Sequence, residues 1–302
     1  GSDLGGASEF VTPWVGTRAA SDKTKMDLER WTNYDDQLGR LKDNRMIAQA
    51  VIFEDVKRGN YGALPEADKN RLFRYLMART SAFSHMMYVI CMEWPEAWKK
   101  DQVSAAGNFL QAHNPWRRPL SVHLLTAHPW VFSGENWPTY VASQAGNKAG
   151  PDTVNQYALS MRGEPIPNLA DEFGILKTES DALLRGNMWA AFCGGAAGVG
   201  TGSDQKALQR FLVQSRIPFQ RMSPANHLVL AGGATRFCLA EDGHHYLVYS
   251  TSGALQLRVT RRGLQGHWFN PRDPNATLGA PFPVAAGRGD VSLREVQTFT
   301  PP

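Results

Sequence analysis

The chain has 302 residues, of which 42% are hydrophobic and 20% are charged, a composition typical of a globular protein of one or two domains. The 32 basic and 28 acidic residues give a net charge of +4, but the basic residues are scattered, so we expect no nucleic-acid partner. The three cysteines are too widely spaced for a disulfide framework or a metal site, and no run approaches the ~20 apolar residues of a membrane span.

The first predicted elements are a loop, a helix and a strand. Residues 1–25 are rich in Gly, Ser and Thr and show neither the helical nor the strand period, which predicts a loop. Apolar residues recur at helical spacing among charges over residues 27–44, which predicts a helix. A β-branched apolar run over residues 45–53 then predicts a strand that ends in Glu54 and Asp55.

The same alternation continues along the chain. Residues 64–83 carry one apolar stripe and predict a helix, and the wholly apolar run 85–92 predicts a strand buried on both faces that ends at Glu93. Further helices are predicted over 101–115, 150–162 and 179–195, and further strands over 120–130, 139–147 and 166–173. Strands that alternate with helices indicate a parallel sheet, either open or closed into a barrel.

After about residue 215 the pattern changes to short runs of period two, broken by Gly, Pro, Asp and Asn. This pattern predicts a compact all-β domain over residues 216–302, after an α/β domain over residues 1–215. The Asp242-Gly243 pair is a hairpin signal, and we interpret His244 and His245 beside it as solvated residues and not as metal ligands. The glycine-rich run 194–202 lacks the ending of a phosphate loop and indicates close backbone packing.

Several predicted parallel strands end in residues that can carry chemistry. In a barrel of parallel strands the active site lies at the carboxyl ends of the strands. Carboxylates among aromatic rings suit sugar hydrolysis, because one acid protonates the leaving oxygen and another attacks or activates water. A single acid at a strand end is more often a helix N-cap, which is the role we expect for Asp55 and Asp171. The strand ends carry Glu54, Glu93, Glu172, His123, His128 and Gln144, with Trp94, Trp98, Trp130, Trp137 and Trp189 nearby.

Four segments, residues 30–53, 73–94, 167–175 and 187–202, together resemble the apiosidase-like glycosidases. This resemblance implies a TIM-type (β/α)8 barrel. The later segments, residues 238–259 and 266–274, resemble the antiparallel β-sandwich that is commonly appended to that barrel and is labelled in its family as collagen-binding.

The resemblance also implies roles for individual residues. Glu93 at the end of the fourth barrel strand falls where the family has its acid/base, and Glu172 at the end of the seventh falls where it has its nucleophile. We expect a retaining mechanism without a cofactor or a metal. The expected substrate-binding residues are His123, His128, Trp94, Gln144, Trp189 and Glu54.

Two features depart from the family pattern. Related retaining glycosidases usually have Asn before the acid/base, whereas this chain has Met92. The strand over residues 45–53 would be the third of the barrel, so the first two strands are not found and two sheet edges would be open. Three explanations stay open: the chain is a fragment, a second polypeptide segment completes the barrel, or the strand count is wrong.

The leading functional hypothesis is a retaining glycoside hydrolase that acts on a plant or microbial oligo- or polysaccharide. A non-catalytic carbohydrate-binding or scaffolding protein on a glycosidase fold is the alternative from another class. A third hypothesis is a lyase or other polysaccharide-active enzyme that uses His123 and a tyrosine such as Tyr140. A polysaccharide substrate implies an extracellular or periplasmic location, and neither a membrane nor a nucleic acid is an expected partner.

Overall fold

The structure is a computed structural model that describes residues 12–17, 20–54, 61–146, 148–174, 180–200, 205–251, 254–261, 263–284 and 295–299. The chain divides into two compact units, Gly1–Ala142 and Ser143–Pro302. Among the helices in the described ranges, none is long and apolar enough to cross a membrane.

The first unit begins with a β-hairpin, so the prediction of a loop over residues 1–25 is wrong where the chain is described. Strands β1 (Trp14–Gly16) and β2 (Ser21–Met26) pair in antiparallel fashion. Trp14 is 1% exposed, and the Arg30 guanidinium donates hydrogen bonds of 3.0 to 3.1 Å to three main-chain carbonyls of residues 12–16. The sequence does not reveal this hairpin because β2 is polar except for Met26, and because Arg30, which bonds to the carbonyls of residues 12–16, belongs to the helix that follows.

The rest of the first unit alternates helices and parallel strands, as predicted. Its elements are α1 (Leu28–Asp43), β3 (Ala48–Phe53), α2 (Glu66–Thr80), β4 (Met86–Cys91), α3 (Lys100–Ala112) and β5 (Leu120–Ser121). The strands form a parallel sheet in the order β3-β4-β5. Five of the six β4 residues are buried, which explains why this strand reads as an unbroken apolar run.

Strand β6 (Val141–Gln144) spans the point at which the two units are divided. The second unit then continues with α4 (Pro151–Ser160), β7 (Asn168–Glu172), α5 (Asp181–Cys193), β8 (Gly198–Val199) and α6 (Gln205–Ser215). The strand order is β6-β7-β8, and β7 and β8 pair in parallel.

Two glycines, Gly198 in β8 and Gly200 directly after it, confirm the predicted close packing. A Cβ atom on Gly198 would lie 2.3 Å from the Leu169 side chain, and one on Gly200 would lie 2.0 Å from the Asp171 carbonyl oxygen. Both contacts are far shorter than a van der Waals contact. Only glycine therefore lets this short strand approach β7.

The remaining strands are antiparallel, as predicted for the C-terminal region. They are β9 (Ser223–Pro224), β10 (Val229–Ala231), β11 (Arg236–Glu241), β12 (His245–Ser250), β13 (Leu255–Val259), β14 (Gln265–Gly266), β15 (Phe282–Pro283) and β16 (Glu295–Phe299). Two three-stranded sheets have the orders β12-β11-β9 and β10-β13-β16, and β14 pairs with β15. The predicted hairpin at Asp242-Gly243 joins β11 to β12, with Gly243 at φ 81°.

Strand β11 packs in two directions within the second unit. Phe237 and Leu239 belong to a hydrophobic cluster with α5 and β12, whereas Cys238 and Ala240 belong to one with β10 and β13. This alternation follows from the two-residue period of a strand. The sandwich arrangement and the domain boundary at residue 215 stay predictions.

Candidate active site

Glu93 lies two residues beyond the end of β4, in the first unit. Hydrogen bonds fix the main chain on both sides of it: the Met92 N–H donates to the Phe53 carbonyl at 2.9 Å, and the Trp94 N–H donates to the His123 carbonyl at 3.2 Å. These bonds tie the chain around Glu93 to β3 on one side and to the segment after β5 on the other. The backbone position of Glu93 is therefore set by the sheet.

The backbone of Glu93 itself adopts the left-handed conformation, with φ 41° and ψ 52°. A residue with a Cβ atom pays about 1–2 kcal/mol for this conformation, and such strain concentrates at functional sites. Three predicted site residues meet at this edge of the sheet, because Glu54 follows Phe53 on β3 and His123 follows β5. Glu54, Glu93 and His123 thus lie at the same edge of this sheet, and their joint role in binding a substrate stays a prediction.

The His123 side chain is buried at this edge of the sheet and is uncharged. His123 is 1% exposed. Its main-chain N–H donates to the Cys91 carbonyl at 3.1 Å, and its backbone forms a parallel β-bridge with Ala142. Burial lowers the pKa of His123 from 6.5 to about 4, although a hydrogen bond with the Leu124 backbone opposes this effect. The imidazole is therefore uncharged near neutral pH.

Beside Glu93 the aromatic side chains pack on one another. The Trp94 ring meets His128 at 5.3 Å and Phe132 at 5.4 Å between centroids, both edge to face. Phe132 also contacts Trp130 and Trp137, each at 5.3 Å. Trp94 is 7% exposed, so little of its surface is open to a ligand. Sequence analysis missed Phe132, the centre of this cluster, although its position between two tryptophans was a signal.

Glu172 occupies the corresponding position in the second unit, as the last residue of β7. Its carbonyl accepts a hydrogen bond of 2.9 Å from the Ala145 N–H, directly after Gln144 at the end of β6. Glu172 is half-buried and Gln144 is 3% exposed. The two predicted residues are thus neighbours at one sheet edge. Glu93 and Glu172 belong to different units, and the separation of their carboxyl groups stays a prediction.

The predicted capping role of Asp171 is wrong. Asp171 lies inside β7, and α5 begins at Asp181 with Ser180 as its N-cap, whose Oγ accepts a hydrogen bond of 3.3 Å from the Leu183 N–H. The Gly200 N–H donates to the Ala170 carbonyl at 2.7 Å, so this end of β7 is bonded to the segment after β8. Asp55, the other expected cap, lies outside the described residues.

Trp189 packs in the core of the second unit. Its ring is 3% exposed, stacks on Tyr249 with centroids 5.8 Å apart, and meets Phe211 edge to face at 5.4 Å. This packing argues against the predicted contact between Trp189 and a sugar. Helix α5 is buried around most of its circumference, so its sequence did not reveal which face meets the antiparallel strands.

Tyr140, proposed for a lyase, is also a core residue. It is 3% exposed, its hydroxyl donates to the Tyr88 carbonyl at 3.2 Å, and it accepts a hydrogen bond from Gln49 at 3.3 Å. A hydroxyl held between two strands of the first unit is poorly placed to abstract a proton from a sugar. In the part of the chain that the structure describes, no group of three His, Cys, Asp or Glu side chains could hold a metal ion.

Comparison with solved structures places the fold among glycoside hydrolases. A family 5 glycoside hydrolase from Bacteroides vulgatus ATCC 8482 superposes over 90% of this chain and 70% of its own, with a TM-score of 0.71 and 14% sequence identity. A second glycoside hydrolase covers 90% of this chain and 73% of its own, with a TM-score of 0.70 and 12% identity.

A third structure, assigned provisionally as a glycoside hydrolase of the same Bacteroides strain, has a TM-score of 0.58 and 14% identity over 83% of this chain. The chain spans about half the length of that protein, at 51%. No protein-family model and no curated protein matches the chain. The apiosidase-like assignment and the collagen-binding label therefore stay predictions, while the α/β fold is the one that these glycoside hydrolases share.

Proposed function

We propose that the chain is a retaining glycoside hydrolase that cleaves a plant or microbial oligo- or polysaccharide. Glu172 is the nucleophile that attacks the anomeric carbon, and Glu93 is the acid that protonates the departing oxygen. Glu93 then acts as the base that activates water to release the sugar from Glu172. This mechanism requires the two carboxyl groups about 5 to 5.5 Å apart.

The observation that carries the proposal is the strained backbone of Glu93 at the end of a buried parallel strand. The sheet holds Glu93 in the left-handed conformation between two main-chain hydrogen bonds, although Gly or Asn would adopt it with less strain. Glu172 also ends a parallel strand, which is where catalytic groups lie in barrels of this kind. The shared fold with glycoside hydrolases supports the same chemistry.

Turnover of a panel of aryl glycosides tests the proposal. Glu172→Gln keeps the shape and removes the nucleophile, so kcat should fall almost to zero. Glu93→Ala should cost about 10²- to 10⁴-fold with poor leaving groups and far less with activated aryl groups, and azide should restore part of the rate. Glu66→Gln, an exposed acid in the first turn of α2, is the control and should retain full activity. Normal turnover by Glu172→Gln would contradict the assignment.

Met92 favours a second candidate, a non-catalytic carbohydrate-binding or scaffolding protein. A methionine cannot donate or accept the sugar hydrogen bonds that the amide of an asparagine would make at this position. Such a protein would bind oligosaccharides in calorimetry but release no aryl group from any glycoside. Met92→Asn provides the matched variant, because it should increase turnover in a hydrolase and leave a pure binder inactive.

The resemblance also supports two finer proposals. The chain is apiosidase-like, with its C-terminal strands forming the β-sandwich that accompanies that barrel. A polysaccharide substrate places the protein outside the cytoplasm, in an extracellular or periplasmic compartment.

A further inference from the structure

A cavity of about 230 Å³ lies in the second unit, at the amino end of β7. Strand β7 runs from Asn168 to Glu172, and a strand rises about 3.3 Å per residue, so the cavity is at the opposite end of the strand from the proposed nucleophile. It therefore belongs to a site other than the one described above. Residues from α5, β11 and the segments before β7 and β9 complete its wall.

The wall of this cavity is mainly apolar. Phe192 and Phe219 lie 5.5 Å apart between ring centroids, and Met161, Met222 and Leu239 extend the apolar surface. The two charged residues of the wall, Arg162 and Glu164, have opposite signs and give it no net charge. These properties favour a neutral ligand with an apolar body.

Asn168 and Gln220 are the uncharged polar residues of the wall, and Asn168 is the buried one of the two. It is 6% exposed, and neither its side-chain Nδ2 nor its Oδ1 makes a hydrogen bond within the described residues. A buried polar group without a partner destabilises the fold, and nearly all such groups in proteins are paired. Both atoms are shielded from solvent in this structure, so an occupant of the cavity pairs with the amide only after the side chain turns about its terminal torsion, which is broad in asparagine.

The unpaired donor and acceptor of Asn168 indicate which polar groups a ligand in the cavity must carry. An unpaired Nδ2 and Oδ1 together require an acceptor and a donor side by side. An amide edge presents an N–H next to a C=O and satisfies both atoms at once, whereas a single hydroxyl satisfies them less well. Pockets for drug-sized ligands usually have volumes of roughly 300–1,000 Å³. This cavity is smaller, so we expect a ligand with a single ring.

We propose that this cavity binds a small, neutral ring compound that carries an amide, with the apolar ring between Phe192 and Phe219 and the amide paired with Asn168. The site is independent of sugar hydrolysis and of the residues assigned to it.

Three probes test this proposal on the full chain by saturation-transfer NMR and calorimetry. Benzamide carries the ring and the full amide edge, methyl benzoate has nearly the same shape but no N–H, and glucose represents a sugar. Benzamide should bind with a Kd in about the millimolar range, methyl benzoate about tenfold more weakly, and glucose not at all. No binding of benzamide, or tighter binding of glucose, would overturn the proposal and indicate a cavity filled by water or by a sugar.

Asn168→Leu removes the amide while nearly keeping the volume, and Asn114→Leu is its matched control. Asn114 is a buried asparagine in the first unit whose amide is fully used, because Nδ2 donates to the Arg118 carbonyl at 2.7 Å and Oδ1 accepts from the Arg118 N–H at 3.0 Å. Asn168→Leu should keep or raise Tm and lose the preference for benzamide over methyl benzoate. Asn114→Leu should lower Tm and keep that preference. A lowered Tm or failure to fold for Asn168→Leu, or an unchanged preference, would show that this amide is structural.

Discussion

The ends of β4 and β7 place a glutamate by two different physical means. Strand β4 is buried at five of its six residues, and beyond its end the half-buried Glu93 is held in the strained left-handed conformation. The end of β7 is half-buried and extended, and Glu172 continues the strand beside two glycines that allow close packing. The main chain around a glutamate can thus be held either by hydrogen bonds that keep a strained conformation or by close packing against glycines.

This difference predicts different responses to substitution and pH. Beside the β4 end, burial lowers the pKa of His123 to about 4. At the β7 end, the neighbouring chain comes close because Gly198 and Gly200 have no Cβ atom. Each of the following changes acts on one end and leaves the other as an internal reference.

The largest expected effect is the pH dependence of stability that His123 causes. Its pKa is lowered to about 4 in the folded chain, so between pH 6.5 and 4 the unfolded chain takes up a proton that the folded chain does not. The free energy of unfolding should therefore fall on acidification across this window, by about 3 kcal/mol from this residue. Urea titrations at pH 7 and pH 4 measure this loss.

His123→Gln should remove most of that pH dependence, because glutamine does not titrate. His244→Gln, at an exposed hairpin position, should leave the dependence as it is. Parallel pH profiles for the unmodified chain and His123→Gln would mean that the β4 end is open to water.

Gly200→Ala tests the β7 end and has the next largest expected effect. The new Cβ would lie 2.0 Å from the Asp171 carbonyl oxygen, which must force β7 and the segment after β8 apart. We expect a loss of about 1–3 kcal/mol in the free energy of unfolding, the usual result of overpacking. Gly163→Ala, where no atom lies within 4 Å of the new Cβ, should change stability little. Equal effects of the two substitutions in urea titrations would contradict close packing at β8.

The smallest expected effect comes from replacing the glutamate at each strand end with glycine. Glu93→Gly should raise the free energy of unfolding by about 1 kcal/mol, because glycine adopts φ 41° without strain. Glu172→Gly should lower it by about 0.5–1 kcal/mol, because glycine in a strand loses more conformational freedom on folding. Both variants should lose activity. The same sign of stability change for both, measured by thermal unfolding, would contradict the contrast drawn between the two ends.

The sequence predicted well those elements whose pattern comes from their own side chains. The unbroken apolar run of β4 and the apolar stripe of α2, with Leu72, Phe73 and Leu76 all buried, were found because burial selects residue type directly. The glutamates at the strand ends followed from the ends of those runs. The positions of Glu93 and Glu172 at strand ends could be predicted in this way, whereas their catalytic roles follow from the family resemblance and stay predictions.

Elements that are held by contacts from other elements could not be predicted in this way. The β1–β2 hairpin depends on Arg30 from α1, and β8 is a two-residue strand with a glycine that leaves no alternation to detect. The left-handed backbone of Glu93 had no signal, since neither glycine nor asparagine stands there. Trp189 was misplaced because α5 is apolar on most of its surface, so its sequence does not specify a sheet-facing side.

The most direct test of the central claim is to trap the glycosyl-enzyme intermediate. The aryl glycoside that is turned over fastest is synthesised in its 2-deoxy-2-fluoro form with an activated leaving group. The chain is incubated with this compound and digested with a protease, and the peptides are analysed by mass spectrometry. The account predicts one added sugar per chain, attached to the peptide that contains Glu172, and no label in Glu172→Gln. A label on Glu93 or on another residue, or rapid release of the aryl group without any label, would contradict the assignment of Glu172 as the nucleophile.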